Sequence, residues 1–156
     1  MPVAKRKPDK PQGCTNFKLR QLMRRVARHY DVEMAPAGMK TTQFSMLSHL
    51  ILLGPVAPGE LARAMGIDAS TLTRNLRLLI DQGWAVQGPG PNARCRQIKI
   101  TTGGRNKQAE GKHHWRRAQL ELNRRVGEQQ IAELHALLDH GLVCLSDAGD
   151  GRSDAH

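Results

Sequence analysis

Aromatic residues are scarce in this sequence: two Trp, two Phe and one Tyr make up 3% of its 156 residues. Leu, Ile, Val and Ala must therefore supply most of any core, as in many helical proteins. Long apolar runs are also missing. The longest, over residues 46–56, is interrupted by two polar residues and a glycine and falls far short of the roughly 20 residues that span a bilayer. The sequence thus predicts no transmembrane helix.

Cysteine is equally sparse, and the N-terminus lacks the apolar stretch of a signal peptide. Cys14, Cys95 and Cys144 are widely separated, so they suggest neither a disulfide framework nor a CxxC metal pair. Residues 1–12 are basic, hold three prolines and precede no apolar segment. We therefore expect a cytoplasmic protein with reduced thiols, no membrane contact, no metal and no organic cofactor.

The sequence does have an excess of positive charge. Its 24 Lys and Arg outnumber its 14 Asp and Glu, which gives a formal net charge of +10 at pH 7. A balance of this size favours a polyanionic partner, either nucleic acid or an anionic membrane. Because surface arginines are common in any protein, charge alone does not choose a function.

Hydrophobic periodicity predicts a mainly α-helical chain with one short β-hairpin and no internal repeat. The predicted helices span residues 16–34, 41–53, 58–65, 69–82, 103–125 and 128–145, and the predicted strands span residues 84–87 and 94–100. Thr41 and Asp68 are the predicted N-caps of two helices, and Gly54 and Gly83 follow helix ends. Residues 1–13 are predicted to be a disordered basic arm, and residues 146–156 a disordered polar tail.

A short helix, a glycine turn, an Asp-capped helix and a hairpin follow one another between residues 58 and 100. This is the order of a winged helix-turn-helix, whose second helix enters the major groove of DNA. Ala62, Leu72 and Leu76 are predicted to bury the angle between the two helices. The predicted DNA contacts are Ser70, Thr71, Thr73, Arg74 and Arg77 on the second helix, and Arg94 and Arg96 in the wing.

Each residue type in this set suits DNA. Small hydroxyl side chains permit close approach to base edges, and the helix N-terminus favours a nearby phosphate. Arg74 can form a bidentate pair with guanine in the major groove. Arg94 and Arg96 suit phosphates or a narrow minor groove. Any one of these arginines is equally well explained as solvated surface, so the prediction depends on the whole arrangement.

The wing resembles that of the MarR family of bacterial regulators. The family pattern is Asp-x-Arg, five residues, Leu-Thr and a glycine soon after. This chain has Asn92-Ala93-Arg94, five residues, Ile100-Thr101 and then Gly103-Gly104. Asn92 in place of Asp removes a carboxylate that would orient an arginine, and Ala57 stands where a Ser or Thr N-cap is usual.

Other segments extend the resemblance over roughly residues 14–145. Residues 42–44, 59–62 and 78–86 are similar to the helix-turn-helix of the family. Its dimerisation helices are similar to the segment with Trp115, Ala118 and Gln119 and to the leucine-rich last helix.

The resemblance implies a winged helix-turn-helix domain over residues 41–101, flanked by dimerisation helices at residues 14–40 and 102–145. It also implies a homodimer that reads a pseudo-palindromic operator in double-stranded DNA, with recognition helices about 34 Å apart. The last helix has an apolar stripe that suits a helix partner. The stripe consists of Ile131, Leu134, Leu137, Leu138 and Leu142.

A further implication is a ligand-responsive regulator, expected to be a repressor, that a small aromatic acid or phenol releases from DNA. The ligand would enter between the dimerisation helices and the winged domain. The candidate lining residues are Tyr30, Met34, Met46, His49, His113 and Arg116. Each is also explained as an ordinary core or surface residue, and the sequence does not choose among them.

Two other functions stay open on the same fold. A thiol-based oxidant sensor would use Cys14, which lies near where the organic-peroxide sensors of the family keep their reactive cysteine, alone or joined to Cys144 of the partner subunit. An architectural DNA binder would respond to no ligand. An enzyme or metal protein is not indicated, because adjacent His113 and His114 point about 100° apart on a helix and no catalytic motif occurs.

Overall fold

The computed structural model describes residues 10–92 and 94–146, which form a mainly α-helical winged helix-turn-helix. The helices are α1 (Thr15–Met34), α2 (Thr41–Leu53), α3 (Pro58–Met65), α4 (Ala69–Asp81), α5 (Thr102–Val126) and α6 (Glu128–Ser146). The strands β1 (Ala85–Pro89) and β2 (Arg96–Ile100) form an antiparallel hairpin. The predicted fold class is confirmed. Most of the predicted arm and tail, and Ala93 of the wing motif, lie outside the described residues.

Local signals place most helix ends correctly. Gly66, in the turn between α3 and α4, has a φ of 63°, and Gly83, after α4, has a φ of 72°. Both conformations are left-handed and cost glycine no steric strain. The tail was predicted to begin at residue 146, but Ser146 is the last residue of α6.

The start of α2 differs from the prediction. Lys40 is the N-cap, and Thr41 is already the first helical residue. The backbone N–H and the hydroxyl of Thr41 both donate to Asp31 Oδ1, each at 2.9 Å. The Asp31 carboxylate on α1 is a stronger acceptor than a hydroxyl oxygen. It therefore holds the Thr41 hydroxyl, which was expected to cap the helix.

The core of the winged unit lies between α2, α3, α4 and the hairpin. Ala62, Leu72 and Leu76 are all buried, as predicted. Val56, which follows α2, exchanges backbone hydrogen bonds with Ile98 of β2 at 3.1 and 2.8 Å. This bridge holds the wing to the segment before α3, and no sequence pattern indicated it.

Helix α5 joins the winged unit to α1. Gly111 of α5 lies so close to the core that an added Cβ would be 2.8 Å from Met39 Sδ and 2.9 Å from Phe44 Cδ2. On the α1 side, the Tyr30 hydroxyl donates to Gln119 Oε1 at 2.5 Å. Because α5 contacts both the winged unit and α1, a shift of α5 would change the position of the winged unit relative to α1.

Helices α1 and α6 leave large apolar side chains in solvent. Of the predicted stripe on α6, Ile131 is buried and Leu134 is half-buried, whereas the other three leucines are exposed. The exposed large apolar residues of α1 are Phe17, Leu19, Leu22, Met23 and Val32. Among the described residues, no helix combines the length and the apolar character needed to cross a membrane.

Candidate nucleic-acid interface

The second helix of the motif, α4, begins with a complete carboxylate cap. Asp68 Oδ1 accepts from the Thr71 N–H at 2.8 Å and from the Ser70 hydroxyl at 2.5 Å, and Oδ2 accepts from the Thr71 hydroxyl at 2.7 Å. These hydrogen bonds, that from Ser70 foremost, hold the pKa of Asp68 well below its usual range. An anion therefore already occupies the helix N-terminus where the sequence suggested a phosphate.

The buried leucines of α4 decide which side of this helix faces solvent. Ser70, Thr73, Arg74 and Arg77 are exposed on one side, whereas Thr71 is half-buried. The hydroxyls of this set are engaged within the helix, since Thr73 donates to the Ala69 carbonyl oxygen at 2.8 Å. Among the predicted contacts on α4, the arginines are thus the ones with side-chain donors still available.

The predicted DNA-binding arginines differ in their surroundings. Arg77 Nε lies 4.0 Å from Asp81 Oδ2, and 83% of the Arg77 side chain is exposed, so this ion pair is weak. Arg74, Arg94 and Arg96 are exposed and have no carboxylate within 4.0 Å in residues 10–92 and 94–146. Their charges are therefore free to meet an anionic partner.

The wing carries two of these arginines beside its tip. Gly88 pairs with Gln97 and Pro89 with Arg96 in the hairpin register. Beyond that pair, the Gly90 N–H donates to the Cys95 carbonyl oxygen at 2.6 Å and closes the turn. Arg96 lies at the start of β2, and Arg94 lies within the turn.

A cavity of about 410 Å³ lies between α2 and α5, where the winged unit meets the long helix. Its lining residues are Thr41, Phe44, Ser45, Ser48, Gln108, Lys112 and Trp115. The rings of Phe44 and Trp115 are stacked with centroids 6.0 Å apart. Gln108 Nε2 donates to Ser48 Oγ at 3.2 Å and connects the two helices. The site has aromatic walls, hydroxyl groups and one ammonium.

None of the six candidate ligand residues lines this cavity. Tyr30, Met34 and Met46 are buried in the core, and His113 and Arg116 are exposed on α5. His49 Nδ1 lies 2.8 Å from the Ser45 carbonyl oxygen of its own helix. The lining comes from α2 and α5 only, at positions next to some of the candidates, such as Ser48 beside His49 and Lys112 beside His113. Adjacent residues of a helix point about 100° apart, which separates these candidates from the cavity.

The cysteines lie at three separate places on the surface. Cys14 is the N-cap residue of α1, and its side chain makes no capping hydrogen bond. Cys95 lies in the wing turn. Cys144, near the end of α6, has its sulfur 3.6 Å from His140 Nε2. All three thiols are exposed.

Comparison with known proteins agrees with this fold. A model of the MarR family matches residues 37–94. The chain is 30% identical over 95 residues to the multiple antibiotic resistance protein MarR of Salmonella typhimurium, a segment that covers 60% of the chain. That segment is 64% of the relative, so the chain spans less than two thirds of the length of this curated relative.

Two solved structures are similar over most of the chain. The M. tuberculosis transcriptional regulator MosR in complex with DNA is 30% identical, with a TM-score of 0.72 over 85% of this chain and 98% of that one. A mutant MarR from E. coli complexed with operator DNA has a TM-score of 0.75 at 24% identity, over 81% of this chain and 92% of that one. At 24% identity, the similarity to the MarR structure shows only that the two folds are alike.

Proposed function

Because the chain belongs to the MarR family, whose members are transcription regulators and not enzymes, we propose that it binds an operator in double-stranded DNA in the cytoplasm. The observation that carries this proposal is the set of exposed arginines without carboxylate partners on α4 and the wing, Arg74, Arg94 and Arg96, within the described chain. In a winged helix-turn-helix these positions face the major groove and the adjacent backbone. Residues 41–101 are the proposed DNA-binding unit.

The proposed active form is a homodimer built by residues 14–40 and 102–145. A groove of about 730 Å³ runs between α1 and α5, and Val32 and Leu120 contribute apolar surface to it. Five arginines line the same groove: Arg25, Arg28, Arg117, Arg124 and Arg125. Helix α6 has three carboxylates, no Lys or Arg, and exposed leucines. Its charge and its apolar stripe therefore complement the groove of a second copy.

Part of the groove charge is compensated within the chain. Arg124 and Arg125 bind Glu121 at 2.7 and 3.0 Å, and the hydrogen bonds from Arg124 lower the pKa of Glu121 to about 2. Arg25 and Arg28 have no carboxylate within 4.0 Å in the described part of the chain. These two arginines provide the uncompensated charge that the acidic α6 of a second copy would meet.

We propose that the chain acts as a repressor whose effector is a small aromatic acid or phenol bound in the cavity between α2 and α5. Phe44 and Trp115 can stack on an aromatic ring, and Lys112 and Ser48 can bind its carboxylate or hydroxyl group. A ligand between α2 and α5 would shift the winged unit against the dimerisation helices. That shift would change the separation of the two recognition helices and weaken operator binding.

Arg74→Ala and Arg94→Ala are expected to affect DNA binding differently. Because Arg74 is a proposed base contact, Arg74→Ala should reduce the free energy of operator binding by about 1–3 kcal/mol and relax discrimination at one base position per half-site. Because Arg94 is a proposed contact with the DNA backbone, Arg94→Ala should weaken binding to all sequences about equally. Fluorescence anisotropy with the operator and with single-base variants measures both effects. Arg20→Ala, which removes an exposed arginine from α1, is the control. Equal losses for both variants, with no change in sequence preference, would show that the recognition face is assigned wrongly.

Benzoate or phenol is expected to raise the melting temperature and to release the operator. A ligand that binds only the folded state at 100 times its Kd stabilises it by about 2.7 kcal/mol. Lys112→Ala should weaken the benzoate effect, whereas Arg116→Ala, which removes the same charge from the same helix outside the cavity, should not. Thermal-shift and anisotropy titrations make this comparison. Equal responses of the two variants would place the ligand elsewhere, and no stabiliser in a broad screen of aromatic acids would favour the oxidant sensor or the architectural binder.

A further inference from the structure

The side chain of Lys107, in the second turn of α5, is mostly covered by the rest of the chain. Only 22% of it is exposed, which is unusual for lysine, whose charged end normally stays in water. Its Nζ lies 3.1 Å from Glu110 Oε2, but the Glu110 side chain is itself 51% exposed, so this ion pair is weak. The other neighbours of the ammonium therefore decide the role of this residue.

The indole ring of Trp84 is one of these neighbours. Lys107 Nζ lies 5.6 Å from the centroid of the ring, within the range of a cation–π interaction. Trp84 belongs to the turn that ends α4, and its N–H donates to the Leu79 carbonyl oxygen at 2.8 Å. The ammonium of Lys107 is thus attracted to a residue whose backbone is fixed to the end of the proposed recognition helix.

The segment between α1 and α2 approaches the same ammonium from another side. A Cβ added to Gly38, within this segment, would lie 3.7 Å from Lys107 Nζ, an ordinary contact distance. The segment continues from α1 through a single 3-10 turn at Ala35–Ala37. Lys107 therefore lies between the end of α4, which belongs to the winged unit, and a segment that continues a proposed dimerisation helix.

We propose that Lys107 is a positioning residue for DNA binding, whose ammonium holds the end of α4 beside the segment between α1 and α2. It would fix the angle of the recognition helix relative to the dimerisation helices. This inference rests on the proposed operator binding by a homodimer. Winged units held at a fixed angle are preorganised for one separation of the half-sites, because binding then orders little. Without the ammonium, the dimer should accept a wider range of separations.

Duplexes with altered half-site spacing test this role. A duplex is selected from a random-sequence pool with the unmodified chain, and one or two base pairs are then inserted between its half-sites or removed. Lys107→Met keeps an apolar stem but removes the charge. It should reduce the ratio of the affinities for the selected and the altered spacing by at least about threefold. Lys107→Arg keeps a cation over the ring and should restore the ratio. A loss of stability alone would lower both affinities and leave their ratio unchanged.

A control variant and a measurement without DNA complete the test. Arg116→Met removes an exposed cation from the same helix and should not change the ratio. The chain has two tryptophans, so a nitrogen-15 spectrum has two indole N–H signals, which Trp115→Phe assigns. Lys107→Met should shift the Trp84 signal and leave that of Trp115 in place.

Two outcomes would overturn the role of Lys107 alone: an unchanged Trp84 signal, or an unchanged spacing ratio in Lys107→Met. Failure of the unmodified chain to enrich any duplex from the pool would instead contradict the proposed function, and the role of Lys107 would fall with it.

Discussion

Operator affinity is expected to fall by about 10³–10⁵-fold between 50 and 200 mM salt, the range for a protein that engages about 6–10 phosphates. Arg77, Arg94 and Arg96 are the proposed phosphate contacts of each chain, which gives six in a dimer. All three are exposed, so each can neutralise a phosphate and release cations that are condensed on the DNA. Anisotropy titrations over a potassium chloride series give the slope of log affinity against log salt.

Single variants refine this measurement. Arg96→Ala removes one proposed phosphate contact from each chain, so the slope should decrease in magnitude by about 2 for the dimer. Arg20→Ala removes an equal charge from α1 and should leave the slope unchanged. An affinity for a specific duplex that does not respond to salt would exclude the proposed interface.

Gly104→Ala is expected to destabilise the chain by about 3 kcal/mol or more, at or above the usual range for an overpacked core. Gly104 is buried in the first turn of α5, and an added Cβ would lie 2.0 Å from the Trp84 carbonyl oxygen and 2.8 Å from Ile100 Cγ1. The Trp84 oxygen already accepts from the Thr101 N–H at 3.0 Å. Because the obstacle is backbone, the start of α5 must move away from the wing.

The adjacent Gly103 provides the matched control. It is exposed, and an added Cβ would lie 3.6 Å from its nearest neighbours, an ordinary contact distance. Gly103→Ala should leave stability unchanged or raise it by up to about 1 kcal/mol, because alanine is the better helix former. Chemical denaturation of both variants gives the two free energies of unfolding. Similar values for Gly104→Ala and the unmodified chain would mean that α5 and the wing are not packed as described.

The sequence alone determined the order, type and approximate ends of the elements. Asp68 caps α4, Pro58 begins α3, and Gly66 and Gly83 follow helix ends, as predicted. These are interactions within about four residues of the chain, so the local sequence is sufficient to specify them. The helix-turn-helix packing also followed from the sequence, because Leu72, Leu76 and Leu79 of α4 are spaced to lie on one side of the helix.

Tertiary structure decided what depends on distant partners. Asp31 captures Thr41 from ten residues away, and Val56 bonds Ile98 across two helices. The lining of the cavity belongs to this class as well. Helix α2 is apolar over most of its circumference, so its periodicity does not say which side meets α5. The close approach at Gly111 and the stacking of Trp115 on Phe44 settle that choice, and with it Ser48 and Lys112, rather than His49 and His113, line the cavity.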